Sequence, residues 1–305
     1  MRSVVIDEIY NLMKENDNVY FLTGDLGFSV VEKLEKDFPN RFINVGIAEQ
    51  NIIGVAAGLA MTGKKVIAYS IIPFITMRCF EQIRNDICYH NADVMLLGAG
   101  AGLSYGILSS THFALEDIAV IRSLPNISVF SPSDATEAKL GMEYFKKSRG
   151  PVYFRIGKKE EPVIFEKPYE FDFGKGHVIQ KGTDVTIFAT GTLMNEVLES
   201  ASLLKQQGID ATVVDIHTIK PLDTETVIVN AKEKKLVVTI EEHNITGGLG
   251  SAVAEVLSGY SNMPKLMRIG TPDTFIKTTG TQQYLRSKLG LTSDQITAAI
   301  LKNLS

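Results

Sequence analysis

Apolar positions along the chain fall into short runs bounded by Gly, Pro, Asn and Asp, separated by stretches where they recur at helical spacing. In the first half, the runs 19–23, 42–45, 65–71, 94–97, 127–131 and 152–156 are rich in Val, Ile, Phe and Tyr and predict strands. Segments 49–61, 73–91 and 134–147 carry the longer pattern of helices, and so does the N-terminal MRSVVIDEIYNLMKEN. The stretch 157–175, GKKEEPVIFEKPYEFDFGK, has a run of four charges at 158–161, two prolines and no clean period, and predicts a linker. Beyond it, strands are predicted at 184–189, 211–216, 235–240 and 265–269, and helices at 194–207, 223–231, 249–257 and 293–304. Strands alternating with helices imply βαβ crossovers and parallel pairing. The expected fold class is α/β, with two domains that each hold a largely parallel sheet flanked by helices. The expected boundaries are 1–160 and 176–305, joined by a linker at 161–175.

Composition narrows the partners. Thirty-one basic and 35 acidic residues leave a net charge of −4, which argues against a basic footprint for nucleic acid or an anionic membrane. No apolar run reaches the roughly 18–20 residues that span a bilayer, and the N-terminus lacks the apolar block of a signal peptide. Two cysteines, Cys79 and Cys88, provide neither a disulfide framework nor a zinc spacing. The expectation is a cytoplasmic protein with no metal ligands of its own.

In an open parallel sheet, ligands bind beyond the carboxyl ends of the strands, so the residues that follow each strand carry the chemistry. After the first comes Thr23-Gly24-Asp25-Leu26-Gly27-Phe28-Ser29, either a turn capped by Asp25 or Ser29, or a close backbone approach to a ligand. After the second, Glu49 opens a helix whose following positions are apolar and small, which predicts burial nearly all round. Its carboxylate can complement the helix dipole. Equally, a buried Glu with no basic neighbour in sequence calls for a ligand or holds a proton for chemistry. After the fourth comes a glycine-rich loop of about 15 residues, long enough to suggest function. It ends at His112, which is either a satisfied histidine or a catalytic one.

Taken together, the residues resemble transketolase. Gly46-Ile47-Ala48-Glu49-Gln50-Asn51, Ser110-Thr111-His112, Leu115-Glu116-Asp117 and Arg122-Ser123-Leu124-Pro125-Asn126 carry the resemblance in the first half. Ala189-Thr190-Gly191-Thr192 and Glu241-Glu242-His243-Asn244, followed by Gly247-Gly248-Leu249-Gly250, carry it in the second. It runs from about Arg2 to the C-terminus and covers two of that family's three domains, the pyrimidine-binding and C-terminal ones. It implies the C-terminal subunit of a split transketolase that transfers a two-carbon unit with thiamine diphosphate.

The resemblance also implies roles. Glu49 would hydrogen-bond a ring nitrogen of the cofactor's aminopyrimidine and favour the imino tautomer, which takes the thiazolium proton. Phe74 would lie against that ring, while the second aromatic expected near Ile71 or Ile72 is absent. Asp25 matches a position near the cofactor, and His112 one close to the cofactor's amino group and the substrate oxygens. Arg2, Ser29 and Arg155 would bind the phosphate of a sugar phosphate. His243 would serve packing and subunit contact.

Departures from the family bear on substrate. Gly100 stands where transketolases usually carry a histidine, and Leu108 where they carry an aspartate. Those groups contact the hydroxyls of a ketose donor, so ordinary ketose phosphates are expected to be poor substrates. The family's Gly-Asp-Gly diphosphate motif is also missing: the sole Gly-Asp is Gly24-Asp25-Leu26. The implied Mg2+ would therefore be held by a partner, an N-terminal transketolase subunit, in an α2β2 assembly. The rival readings are a thiamine enzyme acting on an unusual or nucleotide-linked sugar, a 2-oxo acid dehydrogenase β subunit, and a non-catalytic regulatory subunit.

Overall fold

A computed structural model describes residues 1–27, 29–158 and 161–304. Phe28 of the first loop, and Lys159 and Glu160 of the charge run, lie outside the described residues. Twelve strands are present among the described residues. The first six are β1 (Val19–Thr23), β2 (Phe42–Asn44), β3 (Lys65–Ile71), β4 (Val94–Ala99), β5 (Ser128–Phe130) and β6 (Val152–Ile156). The remainder are β7 (His177–Gln180), β8 (Val185–Ala189), β9 (Ala211–Asp215), β10 (Thr218–Lys220), β11 (Leu236–Asn244) and β12 (Leu266–Thr271).

They form two sheets. The first has the order β10-β5-β6-β4-β3-β1-β2, and the second β12-β11-β8-β9-β7. Pairing is parallel except at one edge of each sheet, where β10 and β7 run antiparallel. β3, β4 and β6 are buried along nearly their whole length, as strands covered on both faces must be. Two apolar clusters lie on the two faces of the first sheet, one built on Ile52, Ile72 and Tyr153 and the other on Ile9, Phe21 and Phe154. Two more lie in the second domain, one with Val197 and Ile300 and the other with Phe188 and Val253.

Three expectations need correction. The helix predicted at 73–91 is not continuous. It breaks into Ile72–Ile75, Phe80–Gln82 and the wide-turned segment Ile83–Cys88. At the break, the Thr76 hydroxyl donates to the Ile72 carbonyl at 2.6 Å, a side-chain bond that competes with the helical ladder. The helix Glu49–Met61 buries Ile52, Ile53, Ala56 and Ala57 on one side only, while Asn51, Gly54, Gly58 and Met61 on the other are exposed. Finally, β10 comes from the second half of the chain yet extends the first sheet, pairing with β5. The short runs β7 and β10, and the helices Glu32–Asp37, Asp117–Arg122 and Gln282–Lys288, are additional to the expected elements. Each has eight residues or fewer, too short for a periodic signal.

Candidate functional site

The carboxyl ends of β1 to β4 and β6 converge on a line of side chains. Glu49 stands at the start of its helix, in front of β3, and is 2% exposed. Its Oε1 accepts from the Ser70 hydroxyl at 3.3 Å, and its Oε2 from Arg78 Nη1 at 2.6 Å. The basic partner that Glu49 lacks among its sequence neighbours is supplied in space, because the break in the 73–91 segment turns Arg78 back onto it. Arg78 is 45% exposed along its side chain, and its guanidinium lies over the Phe74 ring, 4.4 Å from the centroid. Phe74 meets His112 edge-on with centroids 5.1 Å apart, and His112 meets Tyr105 at 5.9 Å. Lys158 places its ammonium 4.7 Å from the Tyr105 ring centroid.

Beyond Lys158 lies a cavity of about 380 Å³, lined by Met1, Arg2, Ser3, Asp7, Ser29 and Lys158 among others. Arg2, Lys158 and two hydroxyls line one hollow against the single carboxylate of Asp7, a set that suits an oxyanion. The terminal ammonium of Met1 is tied to Glu161 at 3.0 Å, which fixes the rim of that hollow. Arg2 and Ser29 therefore share a cavity. Arg155 does not join them. It is 2% exposed, its Nε donates to Asp117 at 2.7 Å, and its Nη2 donates to the carbonyls of Ala114 at 3.0 Å and Glu242 at 3.1 Å. The Tyr153 hydroxyl donates to the same Asp117 oxygen at 2.6 Å. Arg155 is an interdomain clamp, and Lys158, just beyond the end of β6, joins Arg2 at the cavity in its place. The sequence signal for Lys158 is its place directly after a strand, masked by the charge run that reads as linker.

Gly100 is filled from elsewhere in its loop. Its φ is +93°, and a Cβ there would lie 2.1 Å from the Tyr105 ring. The Tyr105 ring therefore occupies the space that a side chain at position 100 would need. Ile107 and Leu108, further along, are exposed. Burial lowers the pKa of His112 and raises that of Tyr105, so the imidazole stays neutral to lower pH than a free histidine. Thr111 Oγ1 lies 3.0 Å from His112 Nδ1 and orients the ring. Asp25, with φ of +56°, is exposed and exchanges hydrogen bonds with Asn44 at the ends of β1 and β2. Ile71 caps the short helix that carries Phe74.

The second domain reaches into this loop. Glu242 Oε1 accepts from the Leu103 amide at 2.7 Å and from Gln282 at 2.8 Å, while Arg286 Nε donates to its Oε2 at 2.8 Å. The Ser110 hydroxyl donates to the Ile276 carbonyl at 2.6 Å. His243 is fully buried, accepting from the Ala119 amide at 3.3 Å and donating from Nδ1 to the Asn244 carbonyl at 2.7 Å, a packing role between the domains. Among the described residues no three His, Cys, Asp or Glu side chains gather as a metal site, and no helix is long and apolar enough to cross a membrane.

Family models match both halves: the transketolase pyrimidine binding domain over residues 1–162 and the transketolase C-terminal domain over residues 174–296. The chain is 37% identical to an apulose-4-phosphate transketolase subunit of Actinobacillus succinogenes, over 97% of this chain and 96% of that one. It is 35% identical to a 6-deoxy-6-sulfo-D-fructose transketolase subunit of a Clostridium species, covering 98% and 92%. A solved structure described as a split gene transketolase, an inactive β4 tetramer, superposes with a TM-score of 0.90 at 40% identity, covering 99% and 97%.

Proposed function

Because the chain belongs to the transketolase family, we propose that it is the pyrimidine-binding and C-terminal subunit of a two-chain transketolase. The reaction is transfer of a two-carbon ketol unit between sugars, at least one carrying a terminal anion. The observation that carries this reading is the line from buried Glu49, joined to Phe74 by Arg78, through His112 and Tyr105 to the cationic cavity at Lys158.

The donor set fits thiamine diphosphate. A nearly fully buried carboxyl beside an aromatic face is what a flat, nitrogen-bearing ring needs: Glu49 would hold a proton at a ring nitrogen, and Phe74 would lie against the ring. When bound, that cofactor supplies the electron sink that lets a carbon–carbon bond beside a carbonyl break. Neutral His112 is placed to accept or donate a hydrogen bond at a substrate oxygen. Arg2, Ser29 and Lys158 would hold the anion and fix the substrate's length relative to Glu49. Tyr105, filling the space at Gly100, presents an aromatic wall where the family has an imidazole, and Leu108 adds a second apolar surface. A donor with hydroxyls at both points would leave them unpaired, at about 1–3 kcal/mol each. Sugars with fewer or altered hydroxyls and a phosphate or sulfonate end are the better match, in keeping with the substrates named for the two relatives.

This chain has no diphosphate motif, and the two relatives above are subunits, so the partner is the chain that holds diphosphate and Mg2+, in an α2β2 assembly in the cytoplasm. The exposed face Asn51, Gly54, Gly58 and Met61, with Ile47 at 78% exposure beside it, offers a flat strip of small and apolar residues edged by one amide for such contact. The test is hydrogen–deuterium exchange at the thiazolium carbon in the reconstituted complex. Glu49→Ala is expected to slow exchange greatly. A folded variant with unchanged exchange and turnover would overturn the reading.

A further inference from the structure

Glu49 and Phe74, the two side chains given to the aminopyrimidine above, are both engaged by one other group. Arg78 donates to Glu49 Oε2 at 2.6 Å while its guanidinium lies 4.4 Å above the Phe74 ring. A guanidinium is planar and charged, donates N–H groups in its own plane and stacks on aromatic faces. An aminopyrimidine held by a carboxyl and an aromatic ring uses the same two surfaces in the same way. Both cannot occupy them at once.

We propose that Arg78 competes with the aminopyrimidine: its guanidinium covers Glu49 and Phe74 and has to swing outward for the cofactor to seat, so Arg78 sets cofactor affinity and association rate. The inference rests on the thiamine reading of Glu49. Three features suit Arg78 to such a movement. Its side chain is 45% exposed, whereas that of Glu49 is 2% exposed, so one partner is fixed and the other has solvent to move into. It arises from the break between the helices Ile72–Ile75 and Phe80–Gln82, not from the middle of a rigid helix. Its backbone stays anchored meanwhile, because Gln50 Nε2 donates to the Arg78 carbonyl at 3.2 Å. Ser70 keeps its contact with the other Glu49 oxygen, so the carboxyl is not left without a partner when Arg78 departs.

The experiment is calorimetry and stopped-flow binding of thiamine diphosphate with Mg2+ to the reconstituted two-chain complex, comparing wild type with Arg78→Met and Arg78→Gln. Losing a half-exposed ion pair and a cation–π contact from the competing state is expected to lower Kd by about 3- to 30-fold, with faster association. Binding of magnesium with inorganic diphosphate, which lacks the pyrimidine, is expected to be unchanged. Unchanged or weaker thiamine diphosphate binding in both variants, or equal tightening of diphosphate, overturns the inference while leaving the functional reading intact. Failure of the wild-type complex to bind thiamine diphosphate overturns both.

Discussion

The two sheets share an architecture but use their carboxyl ends in opposite ways. Beyond the first sheet, Asp25, Phe74, His112 and Lys158 are exposed or half-buried, and Lys158 lines an open cavity. Beyond the second, Thr190, Thr192, Asp215, Glu242, His243 and Thr271 are all buried. Several of them bond to the first domain: Thr190 donates to the Ser131 carbonyl, Asp215 accepts from the Ser133 hydroxyl at 2.7 Å, and Glu242 accepts from the Leu103 amide. Strand ends collect unpaired backbone and polar side chains, which suits them to ligands. The second domain directs the same property at its neighbour, so its polar edge serves as a docking face that also holds the loop carrying Tyr105 and His112.

If that contrast is right, equally buried glutamates at the two edges should behave differently. Glu242→Ala leaves the Leu103 amide without its acceptor and buried Arg286 without its carboxylate, and is expected to cost about 3–5 kcal/mol, read by calorimetric unfolding. Glu49→Ala releases only the half-exposed Arg78 and the Ser70 hydroxyl, and is expected to cost about 1 kcal/mol or less while abolishing activity. Equal losses of stability would break the comparison.

A second prediction sharpens the picture of the docking face. Asp215 Oδ1 has no donor among the described groups, and the Glu137 carboxyl faces it. Burial pushes Glu137 up to about 7 and Asp215 well above the usual carboxylate range, as for two acids sharing a proton. Acids raised in the folded state stabilise it below their unfolded values, and lose that contribution as pH rises through the folded ones. Histidines held low by burial, such as His217 at about 3, oppose this only below about pH 6.5. As pH rises from about 6.5 through about 7, wild-type Tm should therefore fall. Asp215→Asn, which supplies a permanent hydrogen towards Glu137, should flatten that fall. A slope as steep as wild type would place its origin elsewhere.

The smallest effect is expected at the open edge. Lys158→Ala should raise KM for an anionic sugar about 10-fold with kcat and Tm little changed. A comparable loss of Tm would show that this edge, too, is structural. Steady-state kinetics on a phosphorylated or sulfonated donor, beside a thermal melt, separates the two outcomes.

Local sequence determined most of the elements and one half of the site. β1, β3 and β6 and the helices Glu49–Met61 and Leu249–Leu257 lie where the apolar periods put them, because periodicity is a property of neighbouring residues. The family and the place of Glu49 were legible for the same reason: a short contiguous motif carries them. What faces what was not legible. Arg155 lies in a strand covered on both faces, where alternation does not say which side is open, and its partner Glu242 is 87 residues away. Arg78 reaches Glu49 across 29 residues, and only because a helix breaks between them. Gly100 looked like a lost polar contact until the fold laid Tyr105 over it. Each of these depends on distant segments meeting in space, which the pattern along the chain does not encode and only the packed structure decides.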